Sequence, residues 1–254
     1  MEKFIEIPNL PKSNVSLAVV DGRVDKEIEE FLYNREVNII KTYKNDFVYD
    51  AISYHPDIIM CHVGDKQIVV AKNTSNKFVY KLEEKGFEII EGKNEVSEKY
   101  PLDVFYNVCI DKDCVICNEK YTDEILLEKL YEKGKSIINV KQGYTKCSTL
   151  IVDSGIFVTS DKGIHTILIR EKKKSLLISP KHIELFNMNY GFIGGASGKI
   201  AEKEVAFYGN ILLHKDGDII NRFLTENGFS SVSLSKNKLI DLGTLIPLKE
   251  YNDI

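Results

Sequence analysis

The sequence predicts an α/β fold, a ring of five ββαβ units closed by strands from the two chain ends. Three observations predict it. A hairpin, an amphipathic helix and a short strand recur in that order at a spacing of roughly 50 residues. The two chain ends hold the strands of the one hairpin missing from the series. No stretch rich in Gly, Ser or Pro interrupts the series, so residues 1–254 read as a single domain.

Taken in order, Val15–Val20 enters the first helix as a second hairpin strand would. That helix spans Asp25–Tyr33 with Ile28, Phe31 and Leu32 on one face, and strand Val37–Ile40 follows. The second unit pairs Asp57–Val63 with Gln67–Ala71 across a Gly64-Asp65-Lys66 turn. Its helix runs from Ser75, an N-cap candidate, to Glu84, stops at Gly86 and leads to Phe87–Ile90. The third unit pairs Asp103–Ile110 with Cys114–Cys117 and aligns on the second without gaps, Asp57 on Asp103 and Val69 on Val115. Its helix starts at Thr122, carries Ile125, Leu126, Leu127 and Leu130, ends at Gly134 and precedes Ser136–Val140. The fourth pairs Cys147–Val152 with Ile156–Thr159, then has a helix from Asp161 and a strand Leu176–Ser179. The fifth pairs Gly191–Ile200 with Val205–Tyr208, then has a helix from Asp216 to Gly228 and a strand Val232–Leu234. Leu242–Leu248 supplies the strand that pairs with the first unit and closes the ring, which removes most sheet edges.

Composition narrows the function classes. Hydrophobic residues make up 43% and charged residues 28%, a globular balance. With 34 Lys and Arg against 38 Asp and Glu the net charge is −4, which argues against nucleic-acid partners. No apolar run approaches the ~18 residues of a membrane span. The N-terminal segment Met1–Pro8 lacks a basic start and an apolar core, so no export signal and no membrane partner are expected. Five cysteines in such a chain favour reduced thiols and a cytoplasmic location. Cys114 and Cys117 match C-x-x-C, but on a strand they face opposite ways and read as small buried residues.

Five ββαβ units in a closed ring resemble the five-bladed α/β-propeller of the pentein, or guanidino-group-modifying enzyme, superfamily. Gly143–Ser148, His182–Leu185 and Gly191–Gly198 look like a bacterial branch of that fold with no assigned activity. The superfamily includes arginine deiminases, amidinotransferases and dimethylarginine dimethylaminohydrolase, together with a non-catalytic ribosome anti-association factor. The resemblance implies a Cys nucleophile on the closing strand, a His shortly after a Gly at the entry to the Cys147 hairpin and carboxylates gripping a guanidinium fork. Here Asp241–Pro247 holds no Cys. Thr145 or Lys146 stands where the His would fall, and Cys61-His62-Val63 is not acidic. Standard guanidino-hydrolase chemistry therefore ranks last among the readings.

Individual residues supply the candidates. Asp57 and Asp103 start equivalent strands and offer two carboxylates at a channel mouth, or else cap turns. Cys147 is the candidate nucleophile, since the ammonium of Lys146 could lower its pKa, although on a strand the two side chains point to opposite faces. Asn107 could line a polar channel, and Lys146 and Ser197 complete the ligand-binding candidates. Gly194-Gly195-Ala196-Ser197-Gly198 lacks the helix a phosphate loop needs and reads as a place of close backbone approach. His55, His62, His165, His182 and His214 show no metal-ligand spacing, so neither a metal nor a cofactor is expected. The expectation is a protein that binds a small polar or cationic metabolite, guanidino or amine, with an unassigned hydrolase-type activity. The alternative is a non-catalytic macromolecule-binding protein on the same scaffold. Nothing in the sequence sets an oligomeric state.

Overall fold

The structure, a computed structural model, describes residues 1–252. The first unit contains β1 (Glu2–Phe4), β2 (Val15–Val20), α1 (Lys26–Asn34) and β3 (Asn38–Lys41). The second holds a helical turn α2 (Pro56–Ile59), β4 (Met60–Gly64), β5 (Gln67–Val70), α3 (Asn76–Glu84) and β6 (Glu88–Glu91). The third holds β7 (Cys109–Ile110), β8 (Cys114–Cys117), α4 (Glu124–Glu132) and β9 (Ser136–Asn139). The fourth holds a turn α5 (Thr145–Ser148), β10 (Thr149–Asp153), β11 (Ile156–Thr159), α6 (Lys162–Arg170) and β12 (Lys174–Leu177). The fifth holds β13 (Ser197–Ala201), β14 (Glu204–Phe207), α7 (Gly217–Glu226) and β15 (Ser230–Ser233). β16 (Ile246–Tyr251) then returns to the first unit.

Four sheets have three strands, an antiparallel hairpin and a third strand parallel to the hairpin's second. A parallel neighbour needs a long crossover, and the helix supplies it each time. The first sheet has the order β1-β16-β2-β3, so strands from both chain ends lie side by side. Pro247 pairs with Ala18 and Lys3 with Glu250. Consecutive units pack on one another, α3 on β3, α4 on β4, α5 on β7 and β10 on β13, and β13 packs on β2 and β16 to complete the circuit.

The helices obey the predicted periodicity. Each buries one i, i+4 pair: Ile28/Leu32, Phe78/Leu82, Leu126/Leu130, Ile164/Leu168 and Ile220/Leu224. Asp25 and Asp161 cap their helices by accepting backbone N–H bonds. Three caps differ from expectation. Asp123, not Thr122, caps α4, accepting from Ile125 N and Leu126 N, because the helix starts one residue later. Ser75 makes no side-chain cap bond, and the Asp216 carboxylate instead accepts from Ser179 N at 2.5 Å. All five helices end on a residue with left-handed backbone. It is Gly at 86, 134 and 228, but Glu36 and Lys172 (both φ 58) in α1 and α6.

Several strand expectations shift. The closing strand begins at Ile246 rather than Leu242, and β1 is an unforeseen fourth strand. The gapless match between units two and three fails in both hairpin strands. Cys61 pairs with Val69, and Cys109 with Ile116, so the first strands lie 48 positions apart and the second strands 47, rather than 46. Asp57 and Cys147 do not start strands; they sit on the helical turns α2 and α5 that precede β4 and β10. Asp103 and Asn107 lie in the irregular segment before the short β7. Among the described residues no helix is long and apolar enough to cross a membrane.

Candidate functional site

The segments that precede the first strands of the hairpins meet where all five units touch. Asp57 N donates to Gly243 O, Gly195 N to Cys147 O and Thr244 N to Gly195 O. This crowding explains the glycine-rich segment. A Cβ on Gly195 would lie 1.9 Å from Asp241 Oδ1, and one on Gly194 would lie 2.1 Å from Lys146 O. The expected close backbone approach is therefore present, and no phosphate cradle is needed to account for it.

Asp57 is the hub of the polar cluster. Its Oδ2 accepts from Cys147 Sγ–H at 3.1 Å and from Thr244 Oγ1–H at 2.8 Å. Lys146 Nζ lies 3.3 Å from the same Thr244 oxygen. So Lys146 and Cys147 do not diverge as strand neighbours would; the helical turn sends both to the Asp57–Thr244 pair. Asn107 clamps this arrangement. Its Oδ1 accepts from Lys146 N at 2.9 Å and Cys147 N at 3.2 Å, and its Nδ2 donates to Asp57 O at 3.1 Å and Cys147 Sγ at 3.0 Å. With those bonds made, Asn107 holds the site rather than offering free groups to a ligand. The Ser197 hydroxyl is engaged elsewhere, donating to Ile193 O at 2.7 Å.

Electrostatics overturn one expectation. The Cys147 thiol is not lowered by Lys146. Burial, then the carboxylates of Asp57 and Asp241, push it well above the ordinary thiol range. Burial pushes Lys146 down against the pull of nearby anionic groups, Asp57 among them. Burial also raises Asp241, against the opposing pull of His55.

A cavity of about 200 Å³ opens onto this cluster. Buried His55, Cys147 and Asp241 form its floor, while Tyr49, Tyr144, Tyr190 and Phe192 form aromatic walls and Leu185 and Met188 close over it. Tyr144 and Phe192 ring centres are 6.1 Å apart, and Tyr190 and Phe192 6.0 Å. Tyr144 donates its hydroxyl to Asp103 Oδ2 and lies 3.1 Å from the Tyr49 hydroxyl. Asp103 thus stands behind the wall and acts on the cavity through Tyr144. Burial pushes Tyr49 up to about 12 and raises Asp103. The sequence reading missed His55, Asp241 and the tyrosines. Only proximity in the fold reveals them, as no spacing rule links 49, 55, 144 and 241.

The profile of a family described as "Family of unknown function (DUF6873)" matches residues 19–246. The chain belongs to that family. No curated protein sequence matches the chain. Solved structures are similar across nearly its whole length. An inosamine-phosphate amidinotransferase from Streptomyces griseus has a TM-score of 0.61 at 9% identity, covering 99% of this chain and 98% of its own. The agmatine deiminase of C. jejuni, a cysteine-to-serine form with substrate bound, gives 0.59 at 11%, covering 100% and 98%. An amidinotransferase of saxitoxin biosynthesis from Microseira wollei gives 0.58 at 10%, covering 91% and 92%. At these identities the likeness is one of fold, and this family member has the pentein fold.

Proposed function

We propose that the chain binds a small cationic metabolite, an amine or guanidinium compound, in the aromatic-walled cavity. The observation that carries this reading is the pairing of four aromatic side chains with a floor containing Asp241, beside which Asp57 lies buried. Aromatic faces attract cations, and a buried carboxylate completes the charge balance. Asp57 Oδ1, buried beside that floor, has no hydrogen-bond partner among the described residues, so its negative charge is left to be balanced. The named activities of the fold neighbours, deiminase and amidinotransferase, concern guanidino chemistry and favour the same ligand class.

A hydrolase-type activity is the finer part of the proposal. Cys147 Sγ is the nucleophile that reaches the cavity, and Asp57 Oδ2 accepts the hydrogen bond from its S–H. Attack on an amidinium carbon forms the S–C bond as the thiol proton passes to Asp57 and the C=N π pair moves onto nitrogen; the amine leaves with that proton, and water then cleaves the S–C bond and restores the thiol. The departure from the usual pentein pattern remains, because the closing segment carries Thr244. The alternative, a non-catalytic macromolecule binder, draws on exposed Phe186, Met188 and Leu213 around an outer groove, where no buried charged group converges. Five buried free thiols suit a reducing, cytoplasmic setting.

Thermal unfolding in the presence of alkylguanidines, polyamines and size-matched neutral ureas tests the reading. Native-state ligands raise the melting temperature. The expected result is a rise with the cations alone. Equal shifts with the ureas, or none with any cation, would refute it.

A further inference from the structure

The metabolite reading uses the negative charge of the cavity floor but not its mixture of donor atoms. His55 offers a ring nitrogen, Asp57 a carboxylate oxygen and Cys147 a sulfur, all within 4.8 Å of one another. Their exposures are 1%, 2% and 2%. Among the described residues neither nitrogen of His55 has a hydrogen-bond partner, and neither does Asp57 Oδ1. A buried imidazole with both nitrogens unpaired is costly, and native interiors seldom keep one without a compensating partner.

We propose that His55, Asp57 and Cys147 form a binding site for a zinc-like divalent metal ion, with a fourth coordination position directed into the cavity. Imidazole, carboxylate and thiolate together suit a borderline ion such as zinc rather than magnesium or calcium, which take oxygen ligands. A tetrahedral zinc, with bonds of about 2.3 Å to sulfur and 2.0 Å to oxygen, sets those donors about 3.5 Å apart. Cys147 Sγ and Asp57 Oδ2 lie 3.1 Å apart, so this pair reaches that spacing by opening a few tenths of an ångström, while the His55 nitrogen, within 4.8 Å of both, completes the set by a side-chain adjustment. The thiol proton passes to solvent as the sulfur–metal bond forms, and thiolate plus carboxylate then balance the ion's charge.

The surroundings fit the same role. Metal-bound histidines usually donate their second ring N–H to a carboxylate. Asp21 Oδ2 lies 3.9 Å from His55 Nε2, and Asp241 Oδ1 lies 3.9 Å from Nδ1. Whichever nitrogen binds the ion, the other faces a carboxylate. Asn107 Nδ2 donates to the sulfur, and the Thr244 hydroxyl donates to Asp57. Three protein ligands with a fourth position on a cavity is the arrangement of catalytic rather than structural zinc. A metal-bound Cys147 sulfur is no longer free as a nucleophile, so the site stands apart from the hydrolase reading and does not depend on the cavity taking an organic cation.

The test titrates the full chain with Co²⁺ and follows the thiolate-to-metal charge-transfer absorption. One equivalent should produce the band, and Zn²⁺ should bleach it. Cys147→Ala should abolish it, while Cys114→Ala, which alters another buried thiol, should leave it unchanged. His55→Gln should weaken Zn²⁺ binding about a hundredfold or more. No band in the native chain, or a band that survives in folded Cys147→Ala, overturns the proposal. A zinc-soaked crystal of the unaltered chain gives a readout that needs no variant. An anomalous peak between His55, Asp57 and Cys147 supports the site, and a peak only elsewhere contradicts it.

Discussion

Asn107 joins the second, third and fourth units through one amide. It satisfies two backbone N–H groups, one backbone carbonyl and the Cys147 sulfur. Asn107→Ala leaves the Lys146 and Cys147 amides buried without partners, so it should destabilise the fold by roughly 2–4 kcal/mol in urea unfolding. A cost below ~1 kcal/mol would mean water replaces the amide freely. Cys147 carries a second expectation at this scale. Its raised pKa keeps it a thiol at neutral pH, so native iodoacetamide labelling should run far below the rate of the unfolded chain. Comparable rates would show that the thiol is neither buried nor protonated as described. His62 supplies the pH dependence. Burial holds it down to about 4, against about 6.5 in an unfolded chain. Between those values the unfolded state takes up a proton that the folded state refuses, so stability falls on acidification through that window. The loss reaches about 3 kcal/mol from this group, and His62→Gln should remove that part of the slope.

The elements were largely legible, because each helix encodes its face and most encode their ends locally. All five starts fall within two residues of expectation, and the buried i, i+4 pairs are apolar in every case. The strand entries were not legible. The turns Pro56–Ile59 and Thr145–Ser148 carry apolar and β-branched residues that read as strand, and packing at the unit junction overrides that preference. That override is why Lys146 and Cys147 converge instead of diverging. The helix ends offer a direct check. Lys172 takes the left-handed position that Gly fills after α3, α4 and α7. Lys172→Gly should therefore stabilise the chain by about 0.5–1 kcal/mol, the steric relief outweighing the added entropy of the unfolded chain. A loss of stability would point to an unrecognised role for the lysine stem.

At the scale of the molecule, ring closure turns weak local signals into a site. Position 57 belongs to the second unit, 147 to the fourth and 241 to the return toward the first. Repeat spacing located the ring, and hence the meeting of these segments, but not which side chains turn inward. Asp57, Lys146 and Cys147 were reached by residue type, whereas His55, Asp241 and the tyrosine wall needed the assembled fold. The central claim is that this junction is a cation-binding cavity. Isothermal calorimetry of an alkylguanidine against the native chain and against Tyr190→Leu and Asp241→Asn tests it most directly. The account predicts saturable one-to-one binding that weakens about tenfold without the half-exposed ring and is lost with the neutral amide. Unchanged binding in folded Asp241→Asn would contradict it.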